Sequence, residues 1–285
     1  MDAAGEFAMP SDIVVHIPAD RPADGVVACA VSVAKAFEAH LDGIVCTYQP
    51  INPAIMVGAS AAYYAAATQY NTDADDAAAR LDQFEIAARA AGVTHGARSI
   101  CDTPVLANQA LAEISRLYDL TILAQPDRAR PGHQDPLPEA VLFNSGKPML
   151  MVPYIHTGPL ALDRVLVCWD GGRPAARAVH DAMPFLARAK TIDVVAVNED
   201  EDVVGQASAN ALLAHLLRHD LAATGHHLTA PPSNIHNTIL SFAADTGANL
   251  LVMGGYGHSR LREFILGGVT RGIFRSLTLP ALISH

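Results

Sequence analysis

The chain has 285 residues, with 19 Lys and Arg against 29 Asp and Glu and a formal charge of −10. At roughly 150 residues per domain this is two domains, each able to bury a core of its own. A net acidic chain without a Lys/Arg run is a poor match for nucleic acid or an anionic membrane, so any bound anion needs a local, backbone-built site.

No apolar run approaches the ~18 residues of a membrane span, and the N-terminus lacks the charged-then-apolar plan of a signal peptide. The expectation is a cytoplasmic protein. The opening "MDAAGEFA" reads as an expression-vector remnant, with Met9 as the native start. The four cysteines, Cys29, Cys46, Cys101 and Cys168, are scattered without a C-x-x-C pair. They suggest free thiols rather than disulfides or zinc.

In chain order, short apolar runs predict strands at 12–17, 42–48, 95–100, 119–124 and 148–153, then at 164–169, 192–197, 226–230, 249–254 and 280–285. Helical-period segments separate most of them, at 22–40, 73–91 and 104–117, then at 174–189, 206–223 and 234–247. Strands alternating with helices are the signature of βαβ units around a parallel sheet.

Two series of five strands point to an internal repeat. "IVVHIPADRPA" from residue 13 lies over "VLVCWDGGRPA" from 165, and "LDGIVC" from 41 over "IDVVAV" from 192. "YDLTILA" then lies over "ANLLVMG" and "KPMLMVP" over "LPALISH", at offsets of 130 and 132. The first half carries an extra alanine- and tyrosine-rich segment at 50–72, which reads as a lid, an interface patch or packing over a long connection. Gly158-Pro159 is a breaker pair in the linker. The expected domains are 9–155 and 160–285.

The stretch 254–272, "GGYGHSRLREFILGGVTRG", holds six of the chain's 20 glycines. It follows the fourth strand of the second half, and in parallel α/β sheets ligands sit beyond the carboxyl ends of strands. Glycine lets backbone N–H groups approach phosphate oxygens closely, and a helix starting near Val269 adds its positive dipole end. Thr270 offers a hydroxyl, and Arg260, Arg262 and Arg271 offer local positive charge. There is no G-x-x-x-x-G-K-[ST], and "GYGHSR" breaks the dinucleotide pattern at its third glycine.

Gly254-x-x-Gly257, nine residues, then Gly267 resembles the G-x-x-G-x9-G-[S/T] ATP signature of the universal stress protein family. The resemblance extends to "LLVMGG", "LTLPALISH" and "VLVCWDGG", covering 163–285 well and the first half mostly by strand order. It implies two tandem doubly wound α/β domains, each a five-stranded parallel sheet of order 3-2-1-4-5. It places Trp169, Asp170 and Val197 at the base and ribose of ATP, and Gly254, Tyr256, Gly257, Gly267, Gly268, Val269 and Thr270 at ribose and phosphates, with Mg²⁺ as a companion of the phosphates. Gly268 departs from the family's Ser or Thr. The resemblance also implies pairing through the fifth strands, here within one chain, and leaves a homo-oligomer open.

At the place of Asp170 the first half has Pro18, and at the places of Gly254 and Gly257 it has Ala124 and Asp127. It is expected to bind no ATP. Plainer readings stand beside these: "DGG" is a turn sequence for Asp170, and Trp169 is a packing residue at the pocket edge. His215 and His219 are spaced for zinc but lack a third ligand. His226-His227 reads as a rim pair opening a strand, "NEDED" at 198–202 as a solvated loop or a Mg²⁺ holder, and Ser259 lacks a nucleophile's surroundings. The expected function is a regulatory ATP-binding stress protein. The alternatives are a slow ATPase or a nucleotide-free scaffold.

Overall fold

The computed structural model describes residues 9–48, 60–127, 129, 131–199, 207–255 and 268–285, with the side chains of 60–74, 268 and 271 left aside. The apolar runs form strands because they are buried on both faces: Ile13–Val15, Val165–Val167 and Leu250–Val252 are all 0% exposed. Continuous Val/Ile/Leu runs are what a sheet covered on both sides requires.

The first half runs β1 (Asp12–His16), α1 (Asp24–Phe37), β2 (His40–Tyr48), α2 (Ser60–Ala91), β3 (His95–Asp102), α3 (Pro104–Ile114), β4 (Leu120–Ala124), α4 (Leu137–Asn144) and β5 (Met149–Val152). The second runs β6 (Arg164–Cys168), α5 (Arg173–Leu186), β7 (Thr191–Val197), α6 (Ala209–Leu217), β8 (Ala223–Leu228), α7 (Ile235–Thr246), β9 (Leu250–Gly254), α8 (Gly268–Ser276) and β10 (Ala281–Ser284). All ten strands join one sheet, ordered β3-β2-β1-β4-β5-β10-β9-β6-β7-β8. Each half has the order 3-2-1-4-5 with parallel pairing. At the middle β10 runs antiparallel to β5, with Ala281 opposite Met151 and Ile283 opposite Met149.

The helices divide between two faces. α1, α2, α5 and α6 cover one core, and α3, α4, α7 and α8 cover the other. Both cores run across the middle of the sheet. On the first face Phe37 of α1 meets Phe185 of α5 edge to face at 4.8 Å, and the Arg188 guanidinium lies 4.2 Å from the Phe37 ring. The second strand of each half carries an aspartate held by a histidine: Asp42 by His40 at 3.0 Å, and Asp193 by His226 at 2.8 Å. Asp193 also accepts from Arg164 at 3.0 Å.

Several elements depart from expectation. α2 begins at Ser60 rather than 73, so part of the tyrosine-rich segment is helical; the side chains of its three tyrosines lie outside the description. α4 forms in a segment outside the predicted helices; it tolerates Pro138 because that residue falls in the first turn, where its missing N–H has no intrahelical partner to lose. β8 starts three residues and ends two residues earlier than predicted. Asn198, left-handed at φ 57°, exchanges two side-chain hydrogen bonds with the Ala230 backbone at 2.7 and 2.9 Å and draws Thr229 and Ala230 out of the ladder. His226 and His227 therefore sit within the strand rather than opening it, and His227 pairs with Glu199 at 3.3 Å. No helix among the described residues is long and apolar enough to cross a membrane.

Candidate functional site

In the second half the chain leaves β6 for α5 on one face and β9 for α8 on the other. The crevice between β6 and β9 is thus the topological switch point, where doubly wound sheets hold ligands. Cys168 lies opposite Val195, and Val167 opposite Val252. Continuing those registers sets Trp169 level with Gly254, and Asp170 level with Val197. Sheet geometry thus gathers Trp169, Asp170, Val197 and Gly254 at one end of three adjacent strands. Tyr256, Gly257 and Gly267 lie outside the described residues.

Gly171 takes a left-handed φ of 69°, and its turn lets one Asp170 carboxylate oxygen accept from the Gly172 N–H at 2.8 Å. Asp170 remains exposed just ahead of α5, so its turn role leaves it at the surface of the crevice. The Trp169 indole N–H donates to the Ala207 carbonyl at 2.8 Å, which fixes the ring at the mouth. Burial, with Asp170 beside it, pushes the Cys168 thiol up to about 12 and keeps it protonated.

Gly254 serves the fold directly. A Cβ there would collide with the Ala175 nitrogen and lie 2.6 Å from the Pro174 carbonyl carbon, because β9 ends against the first turn of α5. At Gly255 a Cβ would lie 2.7 Å from Leu142 of α4, while its N–H donates to Ser284 at 2.8 Å and its carbonyl accepts from His285 at 2.9 Å. The fold itself thus calls for glycine at 254, where backbone stands in the way of a side chain. Sequence reasoning missed this because Pro174 and Gly254 are distant in the chain.

On the other face α8 begins at Gly268 and packs on α7, where Gly272 lies against the His236 ring. Val269 is partly buried against the second core, and Thr270 is only 4% exposed, so its hydroxyl is enclosed by protein. Glu199 of the acidic run accepts from the Ala209 N–H at 2.8 Å at the start of α6. The His215 and His219 rings meet at 4.8 Å, and burial lowers the His215 pKa. No metal-holding cluster occurs among the described residues. An open groove of about 570 Å³ runs along α5, bordered by Trp169 and by His215 and His219.

The matching strand ends of the first half are filled by side chains. Arg21, 8% exposed, bonds to Asp20 at 3.1 Å and lies 3.5 Å from Asp135, and Gln134 also bonds Asp20. His16 is 3% exposed beside them, and the Tyr48 and His133 rings meet at 5.1 Å. The cavity left there is about 10 Å³, the size of one water molecule.

Residues 161–285 match the family model described as "Universal stress protein family". A universal stress protein of Synechocystis is 24% identical over 185 residues, 60% of this chain and 60% of that protein. One of Methanocaldococcus jannaschii is 33% identical over 48 residues, 17% of this chain and 30% of that protein. The alignments thus span less than two thirds of either curated relative. The solved structure of a universal stress protein from Archaeoglobus fulgidus superposes with a TM-score of 0.70 at 17% identity, covering 95% of this chain and 97% of that one, a likeness of fold. The likeness to the universal stress protein family is thus carried by residues 161–285, the second half of the chain.

Proposed function

We propose that the chain is a cytoplasmic regulatory protein whose domain 160–285 binds ATP, with Mg²⁺ on the phosphates. Domain 9–155 is a nucleotide-free partner joined to it through the fifth strands. One observation carries the reading: the Gly254-x-x-Gly257-x9-Gly267 spacing starts where β9 ends, at the switch point, and closes one residue before α8 begins at Gly268. Backbone N–H groups in the first turn of α8 have no intrahelical acceptors and suit phosphate oxygens. Asp170, exposed at the tip of β6, suits the ribose hydroxyls. The residues fit the nucleotide there, while Gly254 and Thr270 have packing duties that do not depend on it. In the first half the Arg21–Asp20–Asp135 cluster occupies the corresponding crevice.

One observation favours a second reading, an interaction scaffold without nucleotide: Gly254 is already accounted for by its contact with Pro174 and Ala175. Trp169 is the chain's single tryptophan and lies at the proposed base site, so its fluorescence reports occupancy. Titration with ATP should change that emission saturably and give heat in calorimetry, and mass spectrometry of denatured protein should find adenine nucleotide. No emission change, no heat and no released nucleotide would leave the scaffold.

A further inference from the structure

The two described anchors of the 254–268 stretch, the Gly255 turn and α8, are both gripped by the first half. Gln125 follows β4 and is 0% exposed. Its N–H donates to Val152 at 2.8 Å, and its side-chain amide donates to the Phe274 carbonyl of α8 at 3.0 Å. Phe274 is in the last turn of α8, so Gln125 caps that helix across the middle of the sheet. At the other anchor, Leu142 of α4 abuts Gly255, and Phe143 meets the His285 ring at 5.0 Å. His285 in turn holds the Gly255 carbonyl. By the repeat offset of 130, Gln125 and Gly255 are the same position in the two halves. The turn after the fourth strand thus reaches the last helix of the opposite half in both directions.

We propose that the first half sets the geometry of the nucleotide site in the second, with Gln125 and Phe143 as positioning residues for α8 and for the Gly255 turn. The proposal rests on the nucleotide reading for what the site binds, and on the contacts above for how it is held. α8 is nine residues, about 13 Å of rigid rod, so a shift at its capped end is passed to Gly268 at the other. Gln125 has no slack, because its backbone is fixed in the ladder to Val152. A ligand or partner that moves β4 or α4 would therefore change nucleotide affinity without touching nucleotide, a coupling between sites.

Gln125→Met keeps length and removes the donor; Phe143→Ala loosens a half-exposed contact and spares the core. Each is titrated with ATP by calorimetry, and amide exchange of 268–276 is compared with that of 235–246 in α7. The expected result is about fivefold weaker ATP binding, at the low end of usual coupling, with Gln125→Met also giving faster exchange in α8 and unchanged exchange in α7. Unchanged affinity in both variants, together with unchanged α8 exchange in Gln125→Met, would overturn the proposal. If the unaltered protein binds no ATP, the nucleotide reading falls, and the α8 exchange alone decides the positioning.

Discussion

Gly254→Ala separates what the fold asks of this glycine from what a ligand asks. The added methyl would meet the Ala175 nitrogen, the Pro174 carbonyl carbon at 2.6 Å and Pro174 Cβ at 2.9 Å. Two of these three are backbone at the head of α5, so no side-chain rotation relieves the clash. β9 cannot retreat, since it is laddered to β6 on one side and β10 on the other. Inserting a carbon into a filled space typically costs about 1–3 kcal/mol. At about 2–4 °C per kcal/mol for chains approaching this size, the midpoint should fall by roughly 4–8 °C for a cost of about 2 kcal/mol. Circular dichroism melts at fixed protein concentration, without nucleotide, measure it. An unchanged midpoint would refute the packing argument and return Gly254 to the ligand. As a contrast, Gly257→Ala, at a position given to ribose and phosphates, should weaken ATP binding in calorimetry.

Two further predictions follow from buried titratable groups. Burial lowers the His16 pKa from 6.5 to about 4, with Asp20 opposing and Arg21 assisting. Because the unfolded chain takes up the proton first, His16 contributes stability above about pH 6.5 that is lost as pH falls toward 4. At pH 5 the loss is on the order of 2 kcal/mol. The urea midpoint should therefore drop between pH 7 and pH 5 by more in the unaltered protein than in His16→Phe, and equal drops would contradict the assignment. Burial also raises the thiols of Cys29, Cys46 and Cys168 to about 12, while Cys101 is exposed. A disulfide reagent at pH 8 should modify one thiol quickly in the native state and all four after denaturation. Rapid native reaction of Cys168 would show that the strand end is more open than described.

The strands were legible because burial on both faces demands unbroken Val, Ile and Leu, a signal that survives without any tertiary information. The repeat was legible too: the alignment of "LDGIVC" with "IDVVAV" already put Asp42 over Asp193, and both prove to be held by histidines. What the sequence hid depends on contacts between distant residues. α4 was absent from the predicted helices, since it is only eight residues long and opens on a proline-rich stretch. β8 was misplaced because its end is fixed by Asn198, an Asn after a strand whose tolerance of left-handed backbone was the one available signal. At the candidate site, register brings Trp169, Asp170, Val197 and Gly254 together as expected of a strand-end crevice. The packing duty of Gly254 could not be read, since nothing local announces that α5 begins against it. Nor could the Arg21–Asp135 contact, which fills the other crevice from a loop more than a hundred residues away.

The antiparallel seam between β5 and β10 has a consequence for how the molecule behaves in a cell. An unpaired fifth strand is an exposed edge whose N–H and C=O groups recruit whatever strand is nearby, at a rate set by concentration. Here Met149–Met151 meets Ala281–Ile283 on the same polypeptide, so that edge is satisfied as soon as the chain folds. Held on one chain, the two edges meet at a high effective concentration that favours this pairing over a strand supplied in trans. The stoichiometry of the halves is one to one by covalent necessity, at every level of expression.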